Sequence, residues 1–250
     1  MIWQDLASTE FRAIDRATPV VLSVAAIEQH GPHLPLATDR IIGDYFANQI
    51  NARLGSSVLI LPTVAVGCSE HHMEFPGSLT LRHETFLSVC EQYLNSAHAH
   101  GFRNFLLFNS HGGNRGICQV LLEKFGAEHP DCRIAVATWW RAAGDALFPL
   151  NETGPGGVGH ACEFETSLML HIAPQSVRME AIEPKEINST FDWAEEDLLR
   201  TSRVSLYRSM KQVSANGVWG DATRATAAKG QQITDIVCDA LSIVVSELST

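Results

Sequence analysis

Apolar residues fall in short solid runs, separated by longer stretches in which they recur every three or four positions. "PVVLSVAAI" (19–27) is one such run, and "TDRIIGDYFANQINARLG" carries helical spacing from Thr38 or Asp39 to near Gly55. The alternation then repeats. It gives a strand region "SVLILPTVAVG", a helix over 83–100, a strand "NFLLFNS", a helix over 114–128 and a strand "CRIAVATWW". Residues 160–172 and 222–248 read as further helices, and "NETGPGGVG" (151–159) as a long glycine-rich loop. Continuous apolar strands alternating with helices predict βαβ units. The expected fold is α/β, a three-layer sandwich whose mostly parallel central sheet is covered by helices on both faces. No internal repeat or low-complexity segment divides the chain, so a single domain over 1–250 is expected.

Composition narrows the function. The chain has 250 residues, 45% hydrophobic and only 18% charged, which suits a folded protein with a substantial core. It carries 28 acidic against 18 basic residues, a net charge of −10, with no Lys/Arg cluster to track a phosphate backbone. No nucleic-acid partner is expected. The start "MIWQDLASTEFRAIDRATPV" lacks a basic segment followed by an apolar core, and no run approaches the roughly 18 apolar residues of a membrane span. A cytoplasmic protein with no membrane partner is expected. The six cysteines, at 68, 90, 118, 132, 162 and 238, form no C-x-x-C pair and read as buried free thiols.

Candidate chemistry sits where the predicted strands end, the edge at which such sheets collect ligands. "EQHGPHLPLATD" (28–39) sets Glu28 and His30 at i and i+2 just past the first strand, so both side chains point to one side. Asp39 follows at the mouth of the next helix, where a plain N-terminal cap is the competing explanation. "FNSHGGN" places His111 past another strand at the same rim. His33, between prolines, is the weaker candidate, and the adjacent His71 and His72 receive no role. "GHACEFETSLML" (159–170) adds His160 after the glycine loop, with Glu163 and Glu165 at a helix start. The helix dipole favours acids there, so one of the two needs no further explanation, and spacing does not choose between them.

The stretches "EQHGPHLPLATD", "FPGSLTL", "GFRNFLLFNSHGGN" and "GHACEFETSLML" together resemble the creatinine amidohydrolase (creatininase) family. Their order and spacing carry the resemblance over most of the chain. It implies a metal-dependent hydrolase of a small amide, with two divalent ions, Zn²⁺ first and Mn²⁺ or Fe²⁺ as alternatives, on an α/β fold that assembles into hexamers. Position by position, the resemblance implies that Glu28 and His111 hold one ion and His30 and Glu165 the other, with Asp39 bridging. It makes His160 the catalytic histidine, leaves Glu163 to the helix start, and places Ser69, Gly113, Asn114 and Trp140 at the substrate. A metal-dependent lyase or isomerase, a peptidase-like member and a non-catalytic binder are the alternatives.

The sequence also departs from the creatinine-hydrolysing members. Gly113 stands where they carry a carboxylate, and Gly156 and Gly159 where they carry a tryptophan and a glutamate. These glycines are expected to open the pocket and disfavour creatinine. Branches with "HGGN" include a deformylase acting on a formamidopyrimidine nucleotide and a peptidase releasing a C-terminal dipeptide. Arg82, Arg115 and Arg141 are the basic residues close to the motifs.

Overall fold

The computed structural model describes residues 1–185 and 187–249. In chain order its elements are β1 (Val20–Val24), α1 (Thr38–Leu54), β2 (Leu59–Ile60), α2 (His83–Ala99), β3 (Asn104–Asn109), α3 (Arg115–Glu128) and β4 (Arg133–Thr138). Two single-turn helices follow, α4 (Trp139–Ala142) and α5 (Gly144–Leu147), then β5 (Val158–His160), α6 (Glu163–Ile172), α7 (Met210–Val213), β6 (Trp219–Gly220) and α8 (Ala227–Leu248). The four main strands are all parallel, in the order β2-β1-β3-β4.

The sheet is buried on both faces, which is why its strands read as unbroken apolar runs. Alternate residues divide between two cores. Val21, Leu106 and Phe108 face Ile42, Phe46 and Ile50 of α1 and Ile233, Val237 and Leu241 of α8. Val20, Leu22, Phe105 and Leu107 face Phe86 and Leu94 of α2 and Leu121 and Phe125 of α3. This is the three-layer arrangement expected. Five of the six free cysteines are buried, and Cys132 is partly exposed. No helix among the described residues is long and apolar enough to cross a membrane.

Three local readings change. The strand region around 57–67 shortens to Leu59–Ile60, because Pro62 offers no N–H to the ladder; Val64 then makes one parallel bridge to Val24. Trp139 and Trp140 leave the strand for α4. The helix expected from residue 160 begins at Glu163, and the end of the glycine-rich loop is instead β5, paired antiparallel with β6. That partner is remote in sequence, so no local pattern announces it.

The strand order defines where a ligand belongs. From β1 the chain crosses to β2 on one side and later returns to place β3 on the other, so the carboxyl ends of β1 and β3 flank a topological switch point. Helix α1 lies close over this crevice because Gly43 has no side chain. A Cβ there would stand 2.8 Å from Ser110 Oγ and 3.1 Å from Ser23 Oγ. The Ser110 hydroxyl meanwhile donates to the Asp39 carbonyl at 2.9 Å, tying the end of β3 to the first turn of α1. Gly43→Val is therefore expected to lower unfolding free energy by about 1–3 kcal/mol through overpacking. Urea titration measures this, and an unchanged midpoint would show that the close approach is not needed.

Candidate metal centre

The switch point gathers ligand-type side chains from five segments. Glu28 and His30 leave β1 in a loop closed by the Glu28 N–H donating to the Leu36 carbonyl at 2.9 Å. Asp39 occupies the first turn of α1, His111 follows β3, His160 ends β5 and Glu165 sits in the first turn of α6. All six are buried. Asp39 presents one oxygen to each side of the cluster. Its Oδ1 lies 3.4 Å from His30 Nε2 and its Oδ2 3.0 Å from His111 Nδ1. Glu28 Oε1 lies 3.3 Å from His111 Nδ1 and 3.6 Å from His160 Nδ1. Ligand atoms of Glu28, His30 and Asp39 fall within 4.8 Å of one another, as do those of His30, His160 and Glu165.

The outer nitrogens of the imidazoles decide what the inner ones can do. His30 Nδ1 faces the Glu28 carbonyl at 3.2 Å, His111 Nε2 the Cys68 carbonyl at 3.1 Å and His160 Nε2 the Gln29 carbonyl at 2.7 Å. A carbonyl only accepts, so in its neutral form each ring carries its proton outside and turns a lone pair inward, the arrangement typical of metal-ligating histidines. His72 is oriented the other way. The Gln29 amide is fixed by Gly31 N–H donating to its oxygen at 2.9 Å and by its nitrogen donating to the Gly217 carbonyl at 3.1 Å. That same nitrogen donates to His72 Nδ1 at 2.8 Å. His72 thus turns its Nε2–H toward Glu28 Oε1, 3.3 Å away. His33 lies outside these groups, with Nε2 2.9 Å from Thr166 Oγ1.

Electrostatics show that the cluster needs positive charge. Both oxygens of Glu28, Oδ2 of Asp39 and Nε2 of His30 are buried with no hydrogen-bond partner. Unpaired buried acceptors of this kind are costly. Burial pushes the Glu28 carboxyl up, yet the facing His111 and His72 hold it well below the usual carboxylate range. Burial pushes His111 down, yet Glu28 and Asp39 hold it well above the ordinary imidazole value. His30, lowered by burial and raised by Asp39, ends at about 9. Burial lifts Glu165 to about 7 against the pull of His30. Acids and imidazoles here stabilise each other's charged forms, and a divalent cation among N and O donors supplies the same positive charge. The donor set fits such an ion.

The remaining expected residues divide. Gly113 and Trp140 line a cavity of about 400 Å³ that opens over the cluster. Ser69, expected at the substrate, is fully buried behind His111, its Oγ 3.4 Å from His111 Nε2, and is not among the lining residues. Asn114 is also fully buried, accepting from Cys68 N–H at 2.9 Å and donating to the Ala25 carbonyl at 3.1 Å, so it clamps two loops. The expectation that Gly113 and Gly159 open the pocket is corrected. A Cβ on Gly113 would run into the Cys68 carbonyl and the His111 and His71 rings, and one on Gly159 into the Trp219 carbonyl and indole, so neighbouring backbone and rings already close that space. A Cβ on Gly156 would meet only Lys185 Nζ, at 3.5 Å.

Fold and cluster define a parallel α/β protein with a buried, cation-demanding centre at its switch point. A sequence model described as creatinine amidohydrolase matches residues 4–245, and the chain belongs to that family. It is 32% identical over 249 residues to the mycofactocin precursor peptide peptidase of Mycobacterium tuberculosis, covering 94% of this chain and 88% of that one. It is 25% identical over 245 residues to the creatinine amidohydrolase of Pseudomonas putida, covering 91% and 88%. Its fold is similar to the solved structure "Creatininase Mn", with a TM-score of 0.81 at 23% identity, covering 98% of this chain and 97% of that one.

Glu163, expected to be only a first-turn acid, is fully buried. It pairs with the buried Lys229 of α8 and accepts from Thr153 Oγ1 at 2.6 Å and from the Thr153 and Glu152 N–H groups at 3.1 and 3.2 Å. The pair pins the loop that leads into His160. Sequence spacing missed it because Lys229 lies on the last helix. Glu163→Gln leaves a buried ammonium with Glu152, an exposed partner at 2.9 Å, as its remaining carboxylate. The expected loss of stability is about 3 kcal/mol, at the lower end for broken buried pairs. A urea midpoint within error of wild type would show the pair to be unimportant.

Proposed function

We propose that this chain hydrolyses a C–N bond of an amide substrate, using two divalent ions held by Glu28 and His111 on one side and His30 and Glu165 on the other, with Asp39 shared. The observation that carries the reading is Asp39, whose two buried oxygens face opposite halves of the cluster at 3.4 and 3.0 Å. Zn²⁺ suits the mixed imidazole and carboxylate donors; Mn²⁺ and Fe²⁺ are the alternatives, and manganese appears in the name of one solved relative. Ions bound there would lower the pKa of water toward 7 and polarise the amide carbonyl.

His160 is the proton carrier in this reading. Its Nε2–H donates to the Gln29 carbonyl, which fixes the ring and leaves Nδ1 as an acceptor facing the cavity side of Glu28. Burial, then the neighbouring His30, hold it well below the ordinary imidazole value, so it stands neutral and ready to accept. Water adds to the carbonyl carbon, His160 takes the proton released and delivers it to the departing nitrogen, and the C–N bond breaks to acid and amine.

The substrate is larger than creatinine. The cavity over the cluster is about 400 Å³, walled by Trp140, Leu198, Tyr207 and Trp219, with Arg115 and Arg208 among the lining cations. That volume falls in the range of sites for drug-sized ligands. A peptide amide or formamide with apolar flanks and an anionic group fits these walls, and similarity to a peptidase supports the peptide amide. A cytoplasmic, self-associating protein, hexameric by resemblance, belongs to the same reading; Phe191, Val204 and Tyr207 are exposed apolar residues on one segment.

Three measurements test this. A chelator should abolish activity that Zn²⁺ or Mn²⁺ restores, and Asp39→Ala should lose both ions by elemental analysis; full retention would overturn the assignment. His160→Ala should keep its ions while losing roughly 10² to 10⁴-fold in turnover; loss of an ion would make it a ligand instead. Steady-state kcat/KM on a panel of dipeptide amides, formamides and cyclic amides should place creatinine well below the best substrate. Creatinine ranking first by about tenfold would refute the reading of the pocket.

A further inference from the structure

His71 belongs to none of the roles described so far. It sits in the short helical turn Glu70–His72 after Ser69, half-buried, on the wall of the cavity. Its ring lies nearly parallel to that of His111, at 14° with centroids 5.8 Å apart. One of its nitrogens comes within 4.8 Å of ligand atoms of both Glu28 and His111. His72, next along, has Nδ1 occupied by Gln29, whereas neither nitrogen of His71 has a hydrogen-bond partner among the described residues. Two free nitrogens beside an unpaired buried carboxylate are an arrangement that a cation completes.

Gly113 does not compete for this place. A Cβ at 113 would stand 2.8 Å from His71 Cε1, 2.5 Å from His111 Nε2 and 2.2 Å from the Cys68 carbonyl. No side chain fits at 113, because the Cys68 carbonyl and the His111 ring close that position before His71 is met, so residue 113 offers no competing donor. The residue that reaches the outer side of the Glu28 and His111 pair is therefore His71.

We propose that His71 is a third protein ligand on the Glu28 and His111 side, beside the shared Asp39. The inference rests on the two-ion reading above. That half of the centre then offers two imidazole nitrogens and two carboxylates, a donor set suited to Zn²⁺ or Co²⁺, while an oxygen donor in place of His71 shifts preference toward Mn²⁺.

The test is a Co²⁺ titration of the metal-free protein, followed by equilibrium dialysis and by visible d–d absorption, which reports coordination directly. Wild type should bind two Co²⁺. His71→Ala should weaken one of the two at least tenfold and change its absorption band, leaving the other as in wild type, and His71→Gln should do the same. His71→Glu, which keeps a donor at the same place, should retain two Co²⁺ and raise the Mn²⁺ affinity of that site relative to Co²⁺. Far-UV circular dichroism and urea midpoints identify a variant that has not folded, in which case the other substitution decides. Two Co²⁺ bound by folded His71→Ala and His71→Gln with wild-type affinity and spectrum would overturn the role of His71 alone. A wild type that binds no Co²⁺ would overturn the two-ion reading and this inference with it.

Discussion

Three carboxylates, Glu28, Asp39 and Glu165, are buried at one crevice, and a protein interior does not hold such charges without positive partners. Everything around them answers that demand. His30, His111 and His160 have their outer nitrogens fixed on backbone carbonyls, so the inner nitrogens face the cluster. His72 is aimed the other way, with its Nε2 3.3 Å from Glu28 Oε1. Both oxygens of Glu28, Oδ2 of Asp39 and Nε2 of His30 are nevertheless left without hydrogen bonds, and those atoms mark where a cation belongs.

The fold delivers this cluster through its strand order. The crevice between the ends of β1 and β3 exists because the chain reverses direction across the sheet there. Gly43 lets α1 lie close enough for Asp39 to reach both neighbours, and Ser110 ties that turn to the end of β3. The histidine on the opposite wall depends on a separate device. β5 is held between its antiparallel partner and the loop that the Glu163–Lys229 pair anchors, and His160 is its last residue. Ala161, next in sequence, has a φ of 52°, the one non-glycine in the left-handed region among the described residues. Strain stored beside a site of this kind is characteristic of functional positions.

Much of this was legible in the sequence. The parallel α/β architecture followed from apolar runs that are continuous because both faces of the sheet are covered. Glu28, His30, Asp39 and His111 could be grouped because strand ends collect at one rim. What stayed hidden was whatever depends on long-range pairing. Glu163 looked like a dipole-favoured acid until Lys229, far along the chain, was found against it. Gly113 and Gly159 looked like empty space until the Cys68 carbonyl with the His111 and His71 rings, and Trp219, were seen to close it. Ser69, which the resemblance placed at the substrate, has its Oγ 3.4 Å from His111 Nε2. In each case the deciding neighbour lies on another segment, beyond the reach of local spacing.

The central claim is that Asp39 is shared between two cation sites. Anomalous difference maps, collected above and below the absorption edge of the bound metal on crystals of the protein as purified, test it most directly. The account predicts two peaks flanking the Asp39 carboxylate, one between Oδ1 and His30 and one between Oδ2 and His111. A single peak, or peaks away from Asp39, would contradict it.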